Sequence, residues 1–337
     1  MAVRHPRSTD LDRPLVSIVT PTLNAGGFIE QVIKCVMAQG YQNHEHIVVD
    51  GGSNDKTVSI LRKYEHRKNF HWISESDRGL YDAINKGLRM SRGKIQSFLP
   101  ADDLYLPWTL ESVVRDFERD RTVDIVYGDG MIARMSGAYA MVYFNPPRRS
   151  LRKHLRISSS NTTPYFWKKE VFEELGGYDL GFEIASDYDF IVRACMRFKV
   201  SKVSEVLTLW RMRPDSVSVD RQRVMQEVLR ISSKVGGVHS SKGIHVIYAK
   251  MARNYLANSY PEFIRLTALR FSDDGHGNWG NLIRSKTISK SRLLRDLLTP
   301  FLPQFLLTRS ARNKFFPGYV KMNKLLEFVT TFSPDAR

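Results

Sequence analysis

The sequence predicts an α/β protein: a mostly parallel sheet with helices on both faces, followed by a helical, basic C-terminal region. Three observations predict it. Short β-branched apolar runs alternate with helical text twice within the first third of the chain, the pattern of strands joined by crossover helices. Those runs are continuous rather than alternating, as in strands buried on both faces. Three successive runs end in acidic loops, at Asp50, Asp77 and Asp102, and in open sheets of this kind ligands bind beyond the carboxyl ends of the strands.

The first strand is read over residues 14–20, a β-branched run that Pro21-Thr22-Leu23-Asn24 breaks into a loop before helical text begins near Phe28. A second strand at 46–49 runs into Asp50-Gly51-Gly52-Ser53-Asn54-Asp55-Lys56-Thr57, then a helix through Lys63. Residues 70–73 form a third strand, and the segment 74–87 turns helical in its second half. The fourth strand, 93–99, delivers Asp102 and Asp103. Further on, 123–129 reads as a strand and turn, 166–179 as a short helix capped by glycine, and 185–193 as the start of another helix with Asp187 at its head.

Bulk composition is that of a globular protein, with 42% hydrophobic and 26% charged residues in 337. The two cysteines, Cys35 and Cys195, sit in apolar helical text, so they are expected to be buried small hydrophobes rather than a disulfide or a metal site. Residues 1–14 read as a flexible, polar N-terminus without the apolar stretch of a signal peptide, which gives the expectation of a cytoplasmic protein. The formal charge of +16 is uneven. Residues 220–337 hold 20 Lys and Arg against 8 Asp and Glu, leaving only +4 for the first 219. Such a surplus attracts phosphates of nucleotides, nucleic acid or an anionic membrane.

The adjacent carboxylates Asp102 and Asp103 close a strand, where a turning chain can point both at one site. Mg²⁺ and Mn²⁺ favour a few such oxygens and fill their remaining positions with water and phosphate; the competing reading is a helix N-cap. The Asp50-Gly51-Gly52-Ser53 loop lacks the spacing of a P-loop or a dinucleotide fingerprint. It reads either as a close-approach ligand loop or as a tight turn capped by its aspartate.

Taken in order, Pro21-Thr22-Leu23-Asn24, Asp50 to Thr57, Asp77-Arg78-Gly79-Leu80-Tyr81-Asp82-Ala83-Ile84-Asn85-Lys86-Gly87 and Ala101-Asp102-Asp103 make residues 16–218 resemble a family 2 glycosyltransferase of the Rossmann-like GT-A fold. The chain is most similar to the bacterial enzymes of exopolysaccharide and lipopolysaccharide biosynthesis. The resemblance implies a glycosyltransferase domain over 15–218 and a nucleotide-sugar site built from Pro21, Thr22, Asn24, Asp50, Gly51, Ser53, Asp77, Arg78, Asp82, Asn85, Asp102, Arg211 and Arg213. Asp103, with Asp102, would be the metal-binding element for Mg²⁺ or Mn²⁺. The donor implied is a nucleoside diphosphate sugar, with UDP or dTDP favoured over GDP, and the acceptor a saccharide or lipid-linked molecule.

An inverting transfer needs one base to take the acceptor proton. The resemblance puts that base at Asp187, with Asp189 second and helix capping the ordinary alternative for both. Asn161-Thr162-Thr163-Pro164 stands where relatives carry a glutamine-containing pair, and Arg213 where many carry histidine; a guanidinium still suits phosphate. The motif of processive synthases is missing, which implies addition of a single sugar. Residues 219–337 read as an acceptor or membrane platform. Pro300 and Pro303 interrupt their longest apolar stretch, while Arg309, Arg312, Lys314, Lys321 and Lys324 flank Phe315, Phe316 and Tyr319. Such text suits either a peripheral contact with the inner face of a membrane or ordinary helical packing.

Two rival functions are considered. A nucleotidyltransferase would need a glycine-rich activating loop with arginine near the first strand, which is absent. The other is a non-catalytic basic protein on a degenerate scaffold that binds nucleotide, membrane or nucleic acid. The acidic front loops speak against nucleic acid there.

Overall fold

Strand β1 (Val16–Thr22) is buried along its whole length, because it lies between two parallel neighbours and under helices on both faces. In this computed structural model residues 13–134, 140–143, 145–156, 162–212 and 221–236 are described. The chain divides into units Met1–Ile244 and His245–Arg337, and every described residue belongs to the first. Residues 1–12, Asn161, Arg213 and the basic-aromatic text beyond 236 lie outside the described residues.

The sheet runs β3 (Phe70–Ser74), β2 (His44–Asp50), β1, β4 (Ile95–Phe98), β8 (Tyr165–Lys168), β6 (Ile125–Arg134), β9 (Val200–Met212) and β5 (Leu104–Tyr105), with β7 (Ala140–Tyr143) paired to β6. Its first half is wholly parallel, and the register sets Thr22 opposite Asp50 and Asp50 opposite Ser74. The ends of β1, β2 and β3 are therefore level, and β4 pairs with β1 as far as Phe98 opposite Val19. Its second half is mixed: β8 runs antiparallel to both β4 and β6, while β6 and β9 are parallel. The residues that precede β8 consequently share an edge with the residues that follow β4.

Helices α1 (Ile29–Met37) and α2 (Thr57–Arg62) cover one face, where Ile29, Ile33, Ile60 and Leu61 pack on Val48 and Phe70. On the other face α3 (Leu80–Met90) and α7 (Ser186–Arg197) pack Ile84, Leu88, Phe190 and Ile191 against Val19, Ile47 and Val49. Alternate residues of β2 thus serve opposite cores. Each fully buried side chain of this size contributes about 1.5–3 kcal/mol. A Cβ at Gly87 would lie 2.4 Å from Val19 Cγ1, so a glycine there lets α3 close on β1. Helix α4 (Thr109–Arg119) follows β5, and α5 (Arg148–Leu155) buries Leu151 and Leu155 in the α7 core.

Two expectations change. Phe166 and Trp167 belong to strand β8, and α6 (Lys169–Leu175) starts only at Lys169. Aromatic side chains with neighbours on both strands favour extended structure here, and Gly176, in the left-handed region at φ 74°, ends the helix as read. Helix α8 (Arg221–Lys234), assigned from sequence to the C-terminal region, packs Val228 and Ile231 into the core beside α7. Both cysteines are free and buried, as expected, and burial pushes their thiols up, Cys35 to about 12. Among the described residues no helix is long and apolar enough to cross a membrane.

Candidate active site

The loops after β1 and β2 are sewn together. The Asn24 N–H donates to Ser53 Oγ at 2.7 Å, and the Asn54 N–H returns a bond to Asn24 Oδ1 at 3.0 Å. Asn24 takes φ +50°, a conformation asparagine tolerates better than most residues. Asp55 accepts the Gly26 N–H at 2.9 Å and the Thr57 N–H at 2.8 Å. The carboxylate of Asp50, fully buried, accepts four donors: the N–H groups of Gly52 (3.2 Å) and Ser53 (2.9 Å) and the hydroxyls of Ser53 (2.5 Å) and Ser74 (2.6 Å). The loop consumes its oxygens, so Asp50 acts here by shaping backbone. Thr22 Oγ1, at the end of β1, is buried and has no partner among the described residues.

The third loop leans on the second through a missing side chain. A Cβ on Gly51 would lie 2.7 Å from Asp77 Oδ2, so glycine admits the Asp77 carboxylate, which accepts the Gly79 N–H at 2.8 Å. Asp82, in the first turn of α3, takes the Arg78 N–H at 3.1 Å and faces Lys86 at 3.6 Å. Burial opposes its charge, yet the Arg78 N–H and the two cations prevail and hold its carboxyl below the ordinary range. The Arg78 side chain is 76% exposed. Asn85 is employed otherwise than expected: its amide donates to Tyr178 O and accepts the Tyr178 N–H, each at 2.9 Å, at 5% exposure. Both ends of the amide clamp backbone, so its role here is structural rather than nucleotide contact.

The fourth loop carries the carboxylate pair. Asp103 is 2% exposed and its Oδ1 accepts the Arg211 N–H of β9 at 3.1 Å. Neither aspartate caps a helix, because β5 and a turn intervene before α4. The buried Arg211 guanidinium donates to the Asp102 carbonyl and to Gln31 Oε1, and lies 5.2 Å over the Phe28 ring. Arg211 thereby ties the pair to α1, a link that its sequence distance of 109 residues from Asp102 hides. Two hard carboxylates suit Mg²⁺ or Mn²⁺. No group of three or more His, Cys, Asp or Glu able to hold a metal occurs among the described residues, so phosphate and water would supply the other ligands.

Asp187 stands in the first turn of α7, half-buried. Its Oδ2 accepts the Thr162 hydroxyl at 2.5 Å, and its Oδ1 accepts the Tyr188 N–H at 2.8 Å and the Tyr81 hydroxyl at 3.2 Å. Burial raises its carboxyl above the ordinary value, and the donors only partly offset it. Tyr81 stacks on Tyr178 at 5.9 Å, the residue Asn85 clamps. Glu227 of α8 accepts three backbone N–H groups, of Glu183, Ile184 and Ala185, at 2.8–2.9 Å, which pins the loop leading into α7. Asp189, by contrast, is held by Arg193 at 2.7 Å, and that guanidinium also binds the carbonyls of Leu175 and Gly177. It braces α6 against α7. Tyr81, Thr162, Gln31 and Glu227 have no assigned role in the sequence reading; only Tyr81, beside Asp82 at a helix start, carried a local signal.

Known proteins resemble this chain in sequence and in fold. The profile described as glycosyl transferase family 2 matches residues 17–176. An uncharacterised glycosyltransferase of Mycobacterium tuberculosis (strain CDC 1551 / Oshkosh) is 32% identical over 232 residues, which cover 67% of this chain and 84% of that protein. A PGL/p-HBAD biosynthesis glycosyltransferase of Mycobacterium bovis is 30% identical over 53% of this chain and 69% of its own length. Among solved structures, S. aureus TarS 1–349 in complex with UDP-GlcNAc superposes with a TM-score of 0.56 at 16% identity, covering 72% of each chain. The mannosyltransferase PcManGT of Pyrobaculum calidifontis, in complex with GDP-Man and Mn²⁺, gives 0.52 at 21% identity, covering 90% of this chain and 83% of that one. With the GT-A architecture and these relatives together, the chain belongs to glycosyl transferase family 2 and is a glycosyltransferase.

Proposed function

We propose that this enzyme transfers one sugar, with inversion, from a nucleoside diphosphate sugar to a hydroxyl of a saccharide or lipid-linked acceptor of cell-surface polysaccharide synthesis, at the inner face of the membrane. The observation that carries it is Asp187: a carboxylate held by Tyr81, Thr162 and the Tyr188 N–H, on the edge where the strand-end loops gather. The acceptor oxygen bonds to the anomeric carbon as its proton passes to Asp187, while the bond to the diphosphate breaks and the nucleoside diphosphate leaves. A carboxyl raised by burial is the better proton acceptor of the two ionisation extremes.

The loops after β1 to β3 form the nucleotide side. The Thr22 hydroxyl, buried without a partner among the described residues, and the exposed Arg78, whose guanidinium pairs with Asp82 at 3.6 Å, are the groups there that a nucleotide would engage. Asp102 and Asp103 would hold Mg²⁺ or Mn²⁺, which supplies charge neutralisation to a departing diphosphate. The complex of PcManGT with both GDP-Man and Mn²⁺ supports this reading. UDP and dTDP sugars are favoured, in line with the UDP-GlcNAc complex of TarS; PcManGT keeps GDP-mannose in the trial.

The test is thermal shift and diphosphate release over a panel of UDP, dTDP and GDP sugars, with and without Mn²⁺. Metal-dependent stabilisation by one nucleotide class with slow donor hydrolysis is expected. Absence of any response to every donor, with Mn²⁺ or without it, overturns the proposal.

A further inference from the structure

Forty consecutive residues, 130–169, contain no Asp or Glu and eight Lys or Arg. The first 219 residues carry a net +4, so without this segment they would be net acidic. Most of its charge is concentrated on α5 and the residue after it. Leu151 and Leu155 seat the helix in the core. The Arg152 side chain donates to the carbonyls of Cys195 at 2.9 Å and Phe198 at 3.4 Å, which fixes it further without neutralising a charge. Arg148, Arg149, Arg152 and Arg156 are exposed, and at 3.6 residues per turn they fall within one arc of about 100°. None of Arg148, Arg149 and Arg156 has a carboxylate partner among the described residues. The C-terminal end of the helix lies beside the site, where Tyr188, the neighbour of Asp187, donates its hydroxyl to the Leu155 carbonyl.

We propose that this arginine face is a docking surface for the anionic headgroups of a lipid bilayer. Charge complementarity selects the occupant. Arg148 and Arg156 are separated by about 12 Å of helix axis, too far to converge on one free phosphate. No exposed aromatic side chain lies on the arc among the described residues, whereas single-stranded nucleic acid is held by stacking on aromatics as well as by charge. A flat anionic surface meets all the arginines at once. Docked through α5, the enzyme presents the Thr162 and Asp187 side of its sheet edge to the bilayer. The proposal leans on the transfer reading only for what that edge does; vesicle binding is read with no donor or acceptor present, so either can fail alone.

The experiment is sedimentation of the full chain with phosphatidylcholine vesicles containing about one third phosphatidylglycerol, at low salt. The variant is R148E/R149E/R156E, and the control R62E/R67E/K68E removes the same charge from another exposed segment. Partition changes of about fivefold per arginine at an anionic surface give an expected loss of more than tenfold for the α5 variant. The control should lose less than threefold. Circular dichroism melting checks that both fold, and R148Q/R149Q/R156Q reads the same direction of loss if charge reversal disturbs the helix. Equal losses in variant and control, no loss in the variant, or no binding of the wild type overturns the proposal. A larger loss of affinity for a single-stranded oligonucleotide than for vesicles overturns it in favour of nucleic acid.

Discussion

The two halves of the sheet hold their functional side chains in different ways. In the parallel half, each strand-end loop is fixed by its neighbour through short-range geometry: Asn24 to Ser53, Gly51 to Thr22, Asp50 to Ser74. In the mixed half, Asp187 is placed by Tyr81 of α3 and by Thr162 ahead of β8, and its loop by Glu227 of α8. The loops after β1 to β3 are a row of similar turns, whereas Asp187 depends on three separate elements arriving together. Damage should therefore spread differently in the two halves.

The largest effect is expected from Asp187→Asn, which removes the proposed proton acceptor while keeping its shape. Transfer should fall by about 10²–10⁴-fold with nucleotide-induced thermal shift retained; lost nucleotide binding with normal turnover of bound donor would reassign the residue to the other half. Asp103→Asn comes next. It should abolish the part of the nucleotide shift that depends on Mn²⁺, and EDTA should do the same to the wild type. An unchanged, metal-independent shift would remove the pair from the metal site.

Asn85→Ala leaves the N–H and C=O of Tyr178 unpaired in the core, costing about 1–3 kcal/mol, read as a lower urea midpoint. The nucleotide Kd should hold within about threefold at a temperature where the variant is folded; a large rise would restore Asn85 to the nucleotide site. Thr162→Val gives the smallest effect. Its hydroxyl favours the ionised carboxylate, so removing it raises the Asp187 carboxyl further. A base works deprotonated, so with Asp187 in that role the acid limb of kcat/KM should move to higher pH with little change in the plateau. A shift to lower pH would contradict the donor assignment of that bond.

Much of the parallel half was legible in the sequence because its signals are local. Continuous apolar runs, helix periods and acidic strand ends occur within a few residues of each other, and β1 to β4 with α1 to α3 follow them. Phe166 and Trp167 misled, since aromatic residues next to charged helical text fit either state until strands β4 and β6 flank them. Asn85 and Arg211 were read as ligand residues because polar side chains beside a site look alike in sequence. Only the fold shows that one clamps Tyr178 and the other ties Asp102 to Gln31. Thr162 and Glu227 had no local signal, and their roles exist only through pairing across the chain.

The close approach of Gly51 to Asp77 carries a consequence for inheritance. Because the space a methyl group would need at position 51 is filled by the carboxylate of residue 77, a change at one position is felt at the other. A lineage that enlarges residue 51 must shorten residue 77 or turn its carboxylate away from the Gly79 N–H it now accepts. The pair should therefore behave epistatically: Gly51→Ala harmful alone, and largely tolerated once Asp77→Ala has opened the space.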